Sequence, residues 1–363
     1  MQNHASPSLG SDESPHFPPE YPWLRGGDDR YNPGCVAACV TAAEAAASDL
    51  RPVTLALGRG MDGRVAFNRR FVMRDGTVKT HPPICDPDIL HAEGPTDPEV
   101  GLAVLTDEQG QVVASLLHHT CHPCHGYPHR FVIADWPGAW SELMAERLGG
   151  VALVINGCCG NLHHTNHLNP EQTWDPDLYR LMAARLAETA SAVAARLQPS
   201  PAAPLAWDRT VLRLPLRTLA PETIAEAEAY LATYPTPKFL DEAGTQVDWD
   251  WVYAAGTLDL AATEARDPFC DYEIQALRLG DLALVTLMGE PFVEAQLRLK
   301  LESPAPHTFV AHFCNGYAGY VPTAQAFERG GYETRTSNGS KWQPEALDQI
   351  TDEAIGMVGR LFP

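Results

Sequence analysis

The chain has no long apolar run and few basic residues, and each absence excludes a class of protein. No stretch approaches the roughly eighteen uninterrupted apolar residues of a membrane-spanning helix, so the sequence predicts no transmembrane segment. Its 363 residues include 26 lysines and arginines against 46 aspartates and glutamates, which gives a formal net charge of -20. A surface of that sign repels a phosphate backbone, so we expect no nucleic-acid partner.

The sequence also lacks the marks of export, of a disulfide scaffold and of a serine hydrolase. Its first residues have neither the basic segment nor the apolar core of a signal peptide, which predicts a cytoplasmic protein as the chain stands; a secreted or periplasmic protein would need residues upstream. Nine cysteines in a chain of this size, two of them adjacent as Cys158 and Cys159, predict reduced thiols. No Gly-x-Ser-x-Gly motif supports a serine nucleophile.

The order of predicted elements indicates an α/β protein with mixed β-sheets flanked by helices. Residues 1–33, rich in proline, glycine and serine, predict an extended arm, and residues 34–363 predict a single α/β domain with a candidate break at 199–204. We detect no internal sequence repeat. Hydrophobic periodicity predicts helices at 35–47, 176–197, 221–234, 249–265, 291–300 and 344–361, and strands at 53–57, 102–105, 112–117, 151–155, 274–279, 282–287 and 308–313.

One glycine-rich run has the spacing of a dinucleotide-binding fingerprint. Gly58 to Gly63 follows a predicted strand, but the next residues show no helical periodicity, which the fingerprint requires. We therefore assign no nucleotide site to it.

Histidine is concentrated after one predicted strand. Four histidines and two cysteines lie within the eight residues from His118 to His125. Neutral imidazoles and thiolates bind zinc, and residues at the carboxyl ends of strands line the crevice where open α/β sheets bind ligands. The segment indicates a metal site. The alternative is that these histidines are ordinary core or surface residues.

Two further segments offer ligands, each with a purely structural alternative. Glu290 follows a predicted strand and precedes Pro291, so its carboxylate either binds a metal or complements the dipole of the next helix. The segment Asn315–Thr323, rich in glycine and tyrosine, either presents phenols to a site or is a surface loop.

The segment Asn156–His167 combines two thiols with three histidines. It either lines a site or forms a glycine turn with solvated histidines. A structural zinc site made from Cys121, Cys124 and this segment is a further alternative, but adjacent Cys158 and Cys159 lack the spacer that lets both thiolates bind one ion.

Six short segments, in this order, resemble the catalytic domain of the neutral, non-lysosomal ceramidases and their bacterial relatives. The segments are Phe67-Asn68-Arg69-Arg70, Asp97-Pro98-Glu99-Val100-Gly101, Cys121-His122-Pro123, Asn156-Gly157-Cys158-Cys159-Gly160-Asn161, Gly289-Glu290-Pro291-Phe292, and Gly319-Tyr320-Val321-Pro322-Thr323 with Tyr332-Glu333. Together they span most of residues 53–335. The resemblance implies the mixed α/β fold of that domain, here without the immunoglobulin-like domain that follows it in characterised ceramidases.

The resemblance also implies a zinc ion and a set of site residues. Enzymes of this family hold one Zn²⁺ with two histidines, a glutamate and a tyrosine, and use it to cleave an amide with water. Three positions of this chain match those ligands: His122, Glu290 and Tyr320. Of the other positions, Tyr332 would face the substrate carbonyl, Arg69 would stabilise the developing oxyanion, and His4 or His163 would pass a proton to the leaving amine.

The chain departs from the family in two places. Gln2 stands where the family has its remaining zinc histidine, while His4 matches the second histidine of that pattern. We therefore expect either a chain shortened at its N-terminus or an altered site, in which His4, His118, His119 or His125 compensates. In the loop where the family has an aspartate and a serine, this chain reads Gly160-Asn161-Leu162-His163-His164, so the resemblance leaves the substrate open.

The sequence thus predicts a zinc-dependent hydrolase that cleaves the amide bond of an N-acylated amine. Its expected partner is a small-molecule or lipid amide, with a ceramide-like lipid as the family's substrate. The alternative is a catalytically silent protein that binds a ligand and keeps a structural or vestigial metal site. An oligomeric state does not follow from the sequence.

Overall fold

The computed structural model describes His4 and residues 14–127, 132–200 and 204–363. The α-helices in these residues are α1 Tyr31–Ser48, α2 Asp135–Leu148, α3 Leu178–Ala194, α4 Pro221–Thr233, α5 Trp249–Arg266, α6 Val293–Glu302, α7 Ala324–Arg329 and α8 Ala346–Leu361. The strands are β1 Val53–Met61, β2 Phe67–Asn68, β3 Arg70–Met73, β4 Val78–Thr80, β5 Ile89–Ala92, β6 Glu99–Asp107, β7 Val112–His119, β8 Val151–Asn156, β9 Leu162–His163, β10 Leu205–Pro215, β11 Phe269–Leu279, β12 Leu282–Thr286, β13 Glu290–Pro291, β14 His307–Ala311 and β15 Tyr320–Val321.

Two four-stranded sheets with the same topology form the centre of the fold. Their strand orders are β1-β6-β7-β8 and β10-β11-β12-β14. In each sheet the first two neighbouring pairs are antiparallel and the last pair is parallel. A helix, α2 or α6, lies within the connection of each parallel pair, and another helix, α3 or α8, comes after its last strand. The fold therefore repeats one unit, a repetition that we did not detect in the sequence.

The sheets lie face to face, and each carries helices on its outer face. In β6, Leu102 belongs to the apolar cluster with α2 and α3, whereas its neighbour Ala103 belongs to the cluster between the sheets. In β12, Ala283 contacts the cluster that contains α6 and α8, whereas Leu282 faces the first sheet. Because successive strand residues point to opposite faces, this alternation places both sheets between two helical layers.

The predicted fold class, mixed sheets flanked by helices, is confirmed, and the long predicted helices and strands are present. No helix directly follows β1, so Gly58 and Gly60 do not open a nucleotide site. A Cβ atom at Gly58 would lie 2.5 Å from the side chain of Leu197 and 2.9 Å from that of Val193. These glycines instead allow the chain at the end of α3 to pack closely on β1.

The described part of the predicted arm lies against the second half of the chain. Phe17 stacks on Trp251 with ring centroids 6.2 Å apart, and a 3-10 helix covers Pro22–Arg25. Residues 201–203 of the predicted break lie outside the described residues. Among the helices of the described segments, none has the length and apolar character needed to cross a bilayer.

Two leucines of α6 test the assignment of its buried face. Leu299 is 0% exposed in the core of the second half, and Leu301 is 83% exposed on the same helix. We expect Leu299→Ala to lower the free energy of unfolding by about 2–5 kcal/mol because it removes buried methyl groups and leaves a cavity. Leu301→Ala should change it by less than about 0.5 kcal/mol. Urea denaturation followed by circular dichroism measures both, and equal effects would contradict the packing described for α6.

Candidate metal centre

His122, in the loop after β7, has the hydrogen bonding of a metal-binding histidine. Its Nδ1 lies 2.8 Å from the carbonyl oxygen of Cys159, so Nδ1 carries the hydrogen and donates it. Its Nε2 lies 3.1 Å from Oε2 of Glu290. Burial and the nearby charge of Arg69 lower the pKa of His122 to about 3, so the ring is neutral at neutral pH. The lone pair on Nε2 then faces the Glu290 carboxylate, and the two repel each other. A cation bound between them would attract both.

Glu290 and Tyr320 are neighbours in a short parallel strand pair, β13 with β15. Both side chains are buried. The close approach of β13 and β15 depends on the glycine that precedes each strand. Gly289 and Gly319 have φ of +65° and +71°, and a Cβ atom on Gly289 would lie 2.3 Å from the Gly319 carbonyl oxygen. The glutamate and the tyrosine are thereby held beside each other, on the strand pair that follows Gly289 and Gly319.

The local structure around Glu290 corrects one sequence expectation. Pro291 was expected in the first turn of the following helix, but Glu290 and Pro291 form β13, and α6 begins at Val293. The carboxylate therefore lies outside the first turn of α6. The alternative role proposed for Glu290, stabilising the dipole of that helix, is not supported. The immediate partner of Glu290 is His122.

Tyr332 and Arg69 lie next to Tyr320. The rings of Tyr320 and Tyr332 have centroids 5.7 Å apart. The Arg69 guanidinium carbon lies 5.5 Å from the Tyr320 ring centroid and 5.9 Å from that of Tyr332. Tyr332 is 44% exposed, whereas Arg69 is buried and donates to the Gly160 carbonyl oxygen at 2.6 Å. The group combines a partly exposed tyrosine with a buried positive charge.

His4 lies beside this group, and His163 lies in a separate set of histidines. The His4 ring centroid is 5.1 Å from that of His122, and its backbone N–H donates to Pro123 O at 3.1 Å. His163 stacks on His164 at 4.0 Å. Gln2, which stands where the family has a zinc histidine, lies outside the described residues.

Three histidines close to His122 in sequence have other surroundings. His118 is buried and its Nε2 accepts from the Val310 N–H at 3.1 Å. His119 donates from Nδ1 to the Glu99 carbonyl oxygen at 2.9 Å. His125 is buried beside His164. The first two serve the packing of β7, and His122 alone among the four histidines from His118 to His125 forms a close pair with Glu290 in the described structure.

The architecture of the chain matches that of solved ceramidase structures. A neutral ceramidase structure from Pseudomonas aeruginosa has a TM-score of 0.65 and 18% sequence identity to this chain. A structure described as ceramidase complexed with C2 has a TM-score of 0.67, also at 18% identity. Each match covers 99% of this chain and 60% of the solved chain. The chain has the neutral ceramidase fold.

The ceramidase fold is found here through structure rather than through sequence comparison. No protein-family model matches the chain, and no curated protein matches it. The chain spans about 60% of the length of the ceramidase chains that it matches. The comparison therefore establishes the fold and leaves the reaction that the chain catalyses open.

Within the ceramidase fold, buried Glu333 fixes the segment that carries Tyr332. Its carboxylate accepts from Arg69 Nε at 2.8 Å, from Arg70 Nη1 at 2.7 Å and from Thr80 Oγ1 at 2.9 Å. Burial alone would raise the pKa of Glu333, but the Arg69 and Arg70 guanidiniums hold it below its usual value. A charged carboxylate thus links the strands near Arg69 to the tyrosine, a role that we did not assign from the sequence.

His81 is a second residue of this region that the sequence analysis missed. Its Nδ1 lies 3.3 Å from Nε2 of His167, and its ring centroid is 4.4 Å from that of His163. It is a lone histidine in the sequence, followed by two prolines, and has no local pattern of a ligand. The pairing of β2 with β9 and the hydrogen bond from Cys85 N–H to His167 O at 2.8 Å bring the two segments together.

Glu333→Gln tests how much the structure depends on this carboxylate. The change leaves two buried guanidiniums facing a neutral amide, so we expect a loss of about 3–5 kcal/mol in the free energy of unfolding. The control is Asp250→Asn, which removes the charge from an exposed pair with Arg335 at 2.7 Å. That variant should unfold almost like the wild type because exposed pairs contribute little. Denaturant unfolding of both variants measures the difference, and a Glu333→Gln protein as stable as the control would contradict the proposed link.

Proposed function

We propose that this chain is a zinc-dependent hydrolase that cleaves the amide bond of an N-acylated amine. The observation that carries the proposal is the pairing of His122 Nε2 with the Glu290 carboxylate at 3.1 Å, with Tyr320 next to Glu290 in the strand pair. The neutral ceramidase fold supports the same conclusion. A lipid amide similar to ceramide is the substrate that we propose to examine first.

We assign His122, Glu290 and Tyr320 as the ligands of the zinc ion. One imidazole, one carboxylate and one phenol form a donor set that suits this metal, and three protein ligands leave a position for water or substrate. A zinc ion held there would supply Lewis-acid polarisation of the amide carbonyl and would lower the pKa of a water molecule. The hydrogen bond from His122 Nδ1 to Cys159 O orients the ring for that purpose.

Tyr332 and Arg69 are assigned to the charge that develops on the carbonyl oxygen. Tyr332 is accessible and can donate from its phenol to the oxyanion, while the Arg69 guanidinium lies close to both tyrosine rings. A fixed positive charge at a buried position stabilises a developing anion more strongly than it would in water. Glu333 holds Arg69 through a 2.8 Å bond and so maintains this arrangement.

The attacking water loses a proton and the leaving amine needs one, and His4 and His163 are the residues proposed to take up the first proton and pass it to the amine. His4 is the histidine whose ring lies beside that of His122, at 5.1 Å. A histidine at that distance can act through one water molecule once substrate is bound. His163 belongs to the neighbouring histidine group and is the second choice.

The ligand assignment is tested by metal content and activity together. We expect Glu290→Gln and His122→Ala each to reduce bound zinc by about one equivalent per chain and to abolish hydrolysis, because each removes a ligand. Elemental analysis of purified protein and release of free amine from a short-chain ceramide are the two measurements. Glu108→Gln, in the exposed turn between β6 and β7, is the control and should behave like the wild type.

Two outcomes would contradict this proposal in different ways. Zinc retained in full by both ligand variants would show that the metal lies elsewhere. Zinc lost in the variants, together with no hydrolysis by the wild type across a series of N-acylated amines, would favour the catalytically silent binding protein.

Tyr332→Phe separates oxyanion stabilisation from metal binding. Because the phenol is assigned to the transition state and not to the metal, kcat/KM should fall by roughly 100-fold or more while the zinc content stays unchanged. Tyr31→Phe is the control, since Tyr31 is 41% exposed, close to the 44% of Tyr332, and lies on α1. Loss of zinc in Tyr332→Phe, or an unchanged kcat/KM, would remove Tyr332 from its proposed role.

A further inference from the structure

A second group of metal-binding side chains lies next to the candidate zinc centre. Cys124 follows His122 by two residues, and His163 and His164 come from the segment at β9. One ligand atom from each of the three residues lies within 4.8 Å of the other two. None of the three is among the zinc ligands proposed above.

The distances in this group are close to those of a tetrahedral site. Cys124 Sγ lies 3.9 Å from His164 Nδ1, and the rings of His163 and His164 are stacked at 4.0 Å. Zinc bonds of about 2.3 Å to sulfur and about 2.0–2.1 Å to nitrogen place neighbouring ligands about 3.6 Å apart. Nδ1 of His163 also accepts from Thr165 N–H at 3.1 Å, a bond that a metal ion at that nitrogen would replace. Small side-chain rotations are enough to bring the three residues to a common ion.

His125 provides an independent indication of a ligand at this place. Its side chain is 3% exposed, and neither ring nitrogen has a hydrogen-bond partner among the described residues. Its ring centroid lies 5.2 Å from that of His164 and 5.8 Å from that of Tyr179. A buried imidazole without partners is costly, and a metal ion would satisfy one of its nitrogens.

We propose that Cys124, His163 and His164 bind a second zinc ion, and that His125, whose ring lies beside that of His164 but outside the 4.8 Å group, turns towards the ion as the fourth ligand. Three imidazoles and one thiolate complete the four-coordinate set of a closed structural site, and the Cys124 thiol releases its proton to solvent on binding. The ion ties the loop after β7 to the segment of β9, which packs on β2. It thereby braces the two loops that carry His122 and its partner Cys159.

This second ion changes one assignment of the proposed hydrolase. A His163 side chain that binds metal is not free to transfer protons. His4 is then the proton donor to the leaving amine.

Cobalt substitution tests the second site separately from the first, because only the second contains a thiolate. The full-length protein is stripped with a chelator and titrated with Co²⁺. We expect about two bound ions per chain and a thiolate-to-cobalt charge-transfer band in the near ultraviolet. Cys124→Ser should lose the band and about one ion, whereas Cys270→Ser, a partly buried cysteine on β11, should keep both.

Three further variants distinguish failure of the first metal site from failure of the second. Glu290→Gln should lose one ion and keep the band, which separates failure of the first site from failure of the second. His125→Ala and His164→Ala retain the thiolate and should weaken the cobalt binding that produces the band by at least about tenfold, with circular dichroism confirming that the chains are folded. Absence of the band in the wild type, its survival in Cys124→Ser, or unchanged cobalt affinity in both folded histidine variants would overturn the proposal.

Discussion

The apolar contact between the two sheets is the interaction on which the rest of this structure depends. Leu55 and Ala103 from the first sheet meet Leu282 and Phe309 from the second, and all four are buried. The fit is close, since a Cβ atom on Gly101 would lie 2.4 Å from the Phe309 ring. Because this layer fixes one sheet on the other, the loops after β7 and after β12 meet, and His122 and Glu290 come within 3.1 Å. Apolar packing far from any ligand thus determines the geometry of the candidate centre.

Hydrogen bonds between buried polar groups fix the relative position of the two halves more closely than apolar contacts do. Gln296 of α6, in the second half, donates to Thr120 Oγ1 at 2.6 Å and accepts from Cys158 N–H at 2.9 Å, both in the first half. Lys300 of the same helix pairs with Asp97 at 2.7 Å. Such directional bonds hold only one relative placement of the halves, because a shift would leave buried donors and acceptors unpaired. The same reasoning applies to Glu333, which stays charged in the interior only while both arginines remain in place.

The parts of the fold that sequence could predict are those set by local periodicity. The hairpin of β6 and β7 and the long helices have clear apolar patterns, and His122 and Glu290 followed predicted strands. The strands β2 to β5 have two to four residues each, too few for a pattern, and α2 contains Pro137 and Gly138 in its first turn. His81 acquires its side-chain partners only from a distant segment, so no spacing in the sequence marks it.

The repeated topology explains why the candidate centre forms where it does. His122 follows β7 and Glu290 follows β12, which are corresponding strands of the two halves. At the next pair of corresponding strand ends, the Asn156 side-chain nitrogen lies 3.2 Å from His312 Nε2. Corresponding positions meet in this way when two similar units face each other about a two-fold axis.

The candidate centre therefore lies at the boundary between the halves, with His122 from the first half and Glu290 and Tyr320 from the second, so neither half can form it alone. Beyond this boundary the halves differ. The segment after β8 in the first half carries cysteines and histidines, and the segment after β14 in the second half carries Tyr320 and Tyr332. Thiolate and imidazole ligands are typical of a structural metal site that links loops. Phenols beside a carboxylate are consistent with a metal that polarises a carbonyl oxygen. On the proposed assignments, the cysteines and histidines after β8 brace the site, and the two tyrosines after β14 take part in its chemistry.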